Sequence, residues 1–182
     1  MIMLFVVENR EFIPTEYSKL LVDLAWERKV NTLFWRGPFR AVWWTRKRMI
    51  EHFLSLKQFE CYTHVLFLDT DVIPVDPDFV EKLLAHNKDM VSGYYCNTDG
   101  KPINIKNGEK GYKGVGLEEV DVFSMGFSLI KREVLENVPY PQPEPVEKID
   151  ADAEFCRDAR KKGYQVFQDF NLRGIHLLRG AF

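Results

Sequence analysis

The chain has 182 residues, of which 46% are hydrophobic, 29% charged and 14% aromatic, enough for one well-buried α/β domain and short for two. A formal net charge of -2 gives no electrostatic case for nucleic acid as a partner. Three widely spaced cysteines, Cys61, Cys96 and Cys156, form no CxxC pair, which argues against a zinc site and for a reducing, cytoplasmic setting.

Residues 1–7 are apolar, but Glu8 and Arg10 interrupt the run and no basic leader precedes it. The stretch is too short for a secretion signal or a transmembrane segment, and residues 3–7 read as a first buried strand. Tyr17, Leu20, Leu21, Leu24 and Ala25 recur at i, i+3, i+4, i+7 and i+8, which predicts an amphipathic helix over about 15–29. Residues 30–35 read as a second strand, broken by Gly37 and Pro38. Val42, Met49, Ile50, Phe53 and Leu54 then predict a helix running to about Lys57.

The apolar run Val65-Leu66-Phe67-Leu68 ends abruptly in Asp69-Thr70-Asp71. Such a run is a strand buried on both faces, and two acids at its end repel unless a cation lies between them. Hard oxygen ligands favour magnesium or manganese, ions that also take ligands from phosphates. The other reading is a pair of solvated turn acids that cap the next helix. That helix follows Pro74 and Pro77, with Asp76 or Asp78 as its cap, and ends near Leu84.

Residues 90–95 form the next predicted strand. Residues 97–116 are polar and hold five glycines, which predicts a hairpin or a mobile loop, a candidate lid. Residues 120–130 read as two short strands or one strand bent at Gly126. Pro139, Pro141, Pro143 and Pro145 make a stiff extended link to a helix over 151–162, ended by Gly163, and residues 164–167 read as a last strand. Short apolar runs alternating with amphipathic helices predict an α/β fold with a parallel sheet.

On the last helix Asp152, Phe155, Cys156 and Ala159 fall at i, i+3, i+4 and i+7, so Asp152 shares the buried stripe. An inward carboxylate in a first helical turn suits a general base, or alternatively bonds loop amides. Asp150 reads as the N-cap. His176, after Gly174 and Ile175, is a candidate to return to the sheet edge and ligate a metal. Trp26, Trp35, Trp43 and Trp44 read as core.

These residues reach a resemblance. Residues 62–72, Tyr62-Thr63-His64-Val65-Leu66-Phe67-Leu68-Asp69-Thr70-Asp71-Val72, resemble the DxD strand of GT-A-fold, nucleotide-sugar-dependent glycosyltransferases of the family 2-like group. Asp152-Ala153-Glu154-Phe155-Cys156 through Gly163-Tyr164 is similar to that group's acidic helix, and Met125-Gly126-Phe127-Ser128-Leu129-Ile130 to the strand that lines the donor sugar. The resemblance implies a GT-A three-layer α/β/α sandwich with a mixed, mainly parallel sheet, in a single catalytic domain over 1–182.

It also implies a reaction: transfer of a sugar from a UDP- or GDP-type nucleotide sugar to an acceptor hydroxyl on a carbohydrate, lipid or protein, with Mn2+ or Mg2+ and, more often than not, inversion. Asp71 would ligate the metal, Asp69 would bind it or the ribose, His176 would complete the shell, and Asp152 would take the acceptor proton. Glu8, Asn9 and Arg10 lie where the family holds the nucleotide, Gly126 beside the sugar, and Arg46 or Arg48 near the diphosphate. Arg36, Arg40, Arg46, Lys47 and Arg48 together read equally as the basic face of a helix. Ala151 replaces the family's usual Glu, which leaves Asp150 and Asp152 both open as the base. A haloacid-dehalogenase-type phosphohydrolase with Asp69 as nucleophile and a non-catalytic carbohydrate-binding module are the rival readings.

Overall fold

The computed structural model describes residues 1–8, 15–26, 31–36, 42–97, 99–142 and 150–177, with the backbone alone at 5–8, 26 and 31–36. The first apolar runs form β1 (Ile2–Glu8) and β2 (Asn31–Arg36), separated by α1 (Thr15–Trp26). Next come α2 (Val42–Ser55), a 3-10 turn at Lys57–Phe59, β3 (His64–Asp69), β4 (Val72–Pro74), α3 (Phe79–Ala85) and β5 (Met90–Tyr94). The polar middle holds β6 (Asn104–Lys106), β7 (Glu109–Lys110), β8 (Leu117–Glu119) and β9 (Val122–Phe123). The chain continues through β10 (Phe127–Lys131), α4 (Arg132–Asn137), α5 (Ala151–Lys161) and β11 (Val166–His176).

The main sheet has the order β2-β1-β3-β10-β5-β11-β4, with β8 also paired to β11. Strands β2, β1, β3, β5 and β11 run one way, and β10, β4 and β8 run against them. Alternation along β3 explains the layers: Val65 and Phe67 enter one core, Leu66 and Leu68 the other. Met49, Ile50 and Phe53 of α2, Val134 and Leu135 of α4, and Phe155 and Cys156 of α5 cover the first face. Tyr17 and Leu24 of α1, with Phe79, Val80 and Leu83 of α3, cover the second. The expected three-layer α/β/α sandwich with a mixed, mainly parallel sheet is what forms.

The reversed strand β10 sets up the site. Its register pairs Phe127 with Leu68, and the Gly126 carbonyl accepts from the Asp69 N–H at 3.0 Å. The residues that enter β10 therefore meet the residues that leave β3, at the carboxyl edge where open α/β sheets bind ligands.

Several boundaries differ from the sequence expectation. The last strand runs over 11 residues to His176, far beyond 167; its second half alternates buried Phe170 and Leu172 with exposed Asn171 and Arg173, the pattern of a strand with one solvated face and not an apolar run. The glycine-rich stretch does form a hairpin, one of its two expected forms, turned by Asn107 and Gly108 at φ 51° and 78°, the left-handed pair that a two-residue turn needs. Asp78 is the N-cap residue of α3 but makes no side-chain cap bond; the Asp76 carboxylate instead accepts from the Asp78 N–H at 2.9 Å. Pro143 and Pro145 lie outside the described residues. No described helix is long and apolar enough to cross a membrane.

Candidate functional site

Arg46 stands on the same stripe of α2 as Met49, Ile50 and Phe53, three, four and seven residues on, and is only 3% exposed. Its Nη1 donates to Asp152 Oδ1 at 2.7 Å and Oδ2 at 2.9 Å. Its Nη2 donates to Asp69 Oδ1 at 2.8 Å and Oδ2 at 2.7 Å. One planar guanidinium thus clamps two carboxylates, a geometry that lysine lacks. Burial opposes the Arg46 charge, but Asp152 and Asp69 outweigh it and hold the guanidinium ionised. Burial pushes the Asp69 carboxyl above its ordinary value against the pull of Arg46, and Asp71 adds to the rise.

Asp152 is held from every side. Besides Arg46, Tyr140 OH donates to Oδ1 at 2.8 Å, and the Met125 N–H and Ser124 Oγ donate to Oδ2 at 2.9 and 3.3 Å. Asp150 caps the helix as its sequence position suggests: Oδ1 accepts from the N–H groups of Asp152 at 3.1 Å and Ala153 at 3.3 Å. Burial raises the Tyr140 phenol pKa with Asp152 adding to it, and burial likewise raises Tyr95 with help from Asp69. Both phenols therefore stay protonated. Tyr95 OH and Ser124 Oγ lie 2.7 Å apart.

At the far edge, β11 pairs with β4 so that His176 lies opposite Val72, and the Leu177 N–H donates to the Asp71 carbonyl at 2.7 Å. His176 Nε2 then sits 3.2 Å from Asp71 Oδ2, and Nδ1 sits 3.2 Å from the Cys96 carbonyl. With Nδ1 donating to that carbonyl, neutral imidazole turns a lone pair at Nε2 towards the carboxylate. Two acceptors at that distance repel unless a proton or a metal cation lies between them. An imidazole nitrogen and a carboxylate oxygen fit a divalent ion such as manganese. Among the described residues no group of three or more His, Cys, Asp or Glu could hold an ion.

Asp69, Asp71, His176, Tyr95, Ser124 and Ile103 line one cavity of about 150 Å³. Gly126 adjoins it, and a Cβ there would fall 2.5 Å from both Asp69 Oδ2 and Tyr95 OH, so only glycine permits this approach. The structure therefore brings Asp69, Asp71, Asp152, His176, Arg46 and Gly126 to one sheet edge. Glu8 ends β1 with its backbone opposite Arg36; its side chain, with Asn9 and Arg10, lies outside the described residues. Arg48 is solvated and pairs with Glu51 at 2.9 Å. The basic-face reading thus holds for Arg48 and fails for Arg46, which the apolar residues three, four and seven positions on could have flagged. Tyr140, Tyr95 and Ser124 were not foreseen, because no local pattern marks a residue whose role is to meet a carboxylate from a distant element.

No protein-family model matches the chain, and no curated protein matches it in sequence. Solved structures match it in shape. The protein A197 from STIV superposes with TM-score 0.72 at 23% identity, over 97% of this chain and 85% of that one. A variant of Drosophila β1,4-galactosyltransferase 7, in complex with manganese, UDP-Gal and xylobiose, gives 0.54 at 15% identity over 98% and 71%. GalNAc-T7 with UDP, GalNAc and Mn2+ gives 0.57 at 11% identity over 98% of this chain but only 44% of its own length. At these identities the likeness is one of fold: this chain has the GT-A-type, Rossmann-like architecture of those glycosyltransferases.

Proposed function

We propose that the chain is a metal-dependent glycosyltransferase that moves a sugar from a nucleotide-diphosphate sugar, of UDP or GDP type, to an acceptor hydroxyl on a carbohydrate, lipid or protein. The observation that carries this reading is the facing pair of Asp71 Oδ2 and His176 Nε2, 3.2 Å apart, in a cavity that Asp69 and Ser124 also line. The shared fold supports it, since the Drosophila and GalNAc-T7 structures hold manganese with a uridine nucleotide. Fold alone would not carry an activity.

In this reading Asp71 and His176 would hold Mn2+ or Mg2+, and Asp69 would face the ion or the donor ribose. A bound ion would offset the charge that develops on the leaving diphosphate. Glu8, Asn9 and Arg10 hold the nucleotide, and the backbone at Gly126 lines the donor sugar. Asp152 takes the acceptor proton. The freed acceptor oxygen bonds to the anomeric carbon as that carbon's bond to the diphosphate oxygen breaks, and the bonding pair leaves with the nucleotide diphosphate. A single base placed this way favours inversion.

Asp152 has no idle lone pair while Arg46, Tyr140, Ser124 and Met125 engage it. Arg46 is the partner that an anionic donor would draw away, which frees Asp152 and adds a cation beside the diphosphate. Asp150 is the second reading for the base, favoured by one observation: it is exposed and lines a separate, larger cavity. A phosphohydrolase with Asp69 as nucleophile is the rival reading: Arg46 holds this carboxylate as it holds Asp152, and release of inorganic phosphate from a phosphoester is the readout that would favour it.

A thermal-shift screen of nucleoside diphosphates and their sugars, with and without manganese, tests the proposal. Stabilisation by one nucleotide class only when manganese is present is the expected result. No response from any nucleotide, with or without manganese, would sink it.

A further inference from the structure

Beside the metal-edge cavity lies a second one of about 360 Å³, walled by Pro102, Ile103, Ile105 and Phe123, with Asp150, Lys110 and Arg157 at its polar side. Ile103 and Ser124 line both cavities. Ser124 Oγ is 3.3 Å from Asp152 Oδ2, so a molecule in the larger space reaches the reactive edge past Ser124.

The charges of this cavity differ from those around it. Arg160, three residues beyond Arg157, pairs with Asp121, and Lys106, on the strand opposite Lys110, pairs with Glu118. Lys110 and Arg157 are both exposed, and among the described residues neither side chain has a hydrogen-bond or ion-pair partner. The one acid in the wall, Asp150, already spends Oδ1 on the start of α5. Among the described residues, two cations without a side-chain partner face one acid in this wall, in a protein whose formal net charge is -2. An apolar wall facing two cations suits a ring with one apolar face and an anionic substituent.

We propose that this cavity is the acceptor subsite and that it selects an acceptor bearing an anionic group, a sugar phosphate or a uronate. The proposal rests on the glycosyltransferase reading for the word acceptor, and on the cavity alone for the anion. Lys110 and Arg157 bind the anionic group, while Ile103 and Phe123 pack against the ring. The acceptor hydroxyl is then presented at Ser124, beside Asp152.

The test is binding by titration calorimetry at low salt, with and without manganese and uridine diphosphate. The probes are glucose 6-phosphate, glucuronate, methyl glucoside and inorganic phosphate. The expected result is that one or both charged sugars bind about tenfold or more tighter than methyl glucoside, and tighter than phosphate alone. Which of the two binds better distinguishes a phosphate from a carboxylate partner. In the double variant Lys110→Gln/Arg157→Gln the preference disappears, while manganese-dependent stabilisation by nucleotides is unchanged. Equal binding of charged and neutral sugars, or a preference that survives in the double variant, overturns the proposal. Inorganic phosphate binding as tightly as glucose 6-phosphate also overturns it, because the apolar wall then selects nothing. Loss of the nucleotide response with the charge preference intact would remove the transfer reaction and leave the anionic-saccharide site standing.

Discussion

Arg46 and Asp152 meet through a bidentate contact at 2.7 and 2.9 Å although 106 residues separate them, and the same guanidinium also holds Asp69. The contact ties α2, β3 and α5 together at the sheet edge. Replacing Arg46 by Gln leaves two carboxylates in a buried setting without their cation, and the expected loss is about 3–5 kcal/mol. Arg46→Lys restores the charge without the fork and should recover only part of it. Urea unfolding of the three proteins checks this, and a loss under about 1 kcal/mol in the Gln variant would mean the carboxylates find other partners.

The two candidate bases separate cleanly by amide substitution. Asparagine caps a helix as well as aspartate does, so Asp150→Asn keeps the bond to the start of α5 and changes only proton affinity. If Asp152 is the base, Asp152→Asn lowers transfer by about 10²–10⁴-fold with donor binding retained, whereas Asp150→Asn changes it little. Single-turnover transfer with both variants decides the matter, and the reverse pattern assigns the role to Asp150.

The sequence exposes those parts of the site that are written locally. An apolar run stopping at Asp69, a cap at Asp150 followed by an inward Asp152, and helices alternating with strands follow from period and spacing; the mixed three-layer sandwich is implied by the resemblance to GT-A-fold enzymes. Arg46 is different: its α2 position shares a stripe with Met49, Ile50 and Phe53, but charge alone suggests a solvated face. Its burial is stabilised by carboxylates 23 and 106 residues away. Tyr140 reaches Asp152 across 12 residues for the same kind of reason. The length of β11 escaped because a strand with one solvated face alternates polar and apolar residues and shows no continuous apolar run.

The facing of Asp71 and His176 predicts a metal response carried by both. His176→Ala and Asp71→Asn should each weaken manganese-dependent stabilisation, read as a rightward shift of the midpoint against metal concentration, with little change in metal-free stability. His176 is half-buried and ends a strand, so the fold tolerates its truncation. An unchanged manganese midpoint in both variants excludes this pair as the ligands.

Gly126→Ala should be damaging out of proportion to its size. The added methyl would meet Asp69 Oδ2 and Tyr95 OH at 2.5 Å, and Asp69 is itself pinned by Arg46 and by the Gly126 carbonyl. The strain is expected to displace the carboxylate, at about 1–3 kcal/mol of stability, and to weaken nucleotide binding. A variant with wild-type stability and wild-type nucleotide response would show that β10 yields at little cost.

The hairpin that carries Lys110 is fastened to the sheet through Glu118, which accepts from Lys106 Nζ, from Tyr112 OH at 3.0 Å and from the Val115 N–H at 2.9 Å. Lys106 first, then the Val115 N–H, pull the Glu118 carboxyl down to about 2. A carboxylate depressed in the folded state contributes stability that is complete above its unfolded value of about 4.3 and is lost as pH falls towards the folded one. Thermal midpoints of wild type and Glu118→Gln should therefore differ at about pH 6 and converge as pH drops from about 4 to about 2, more steeply at low salt. A gap that stays constant across that window would mean the network holds the hairpin by neutral hydrogen bonds and not by the Glu118 charge.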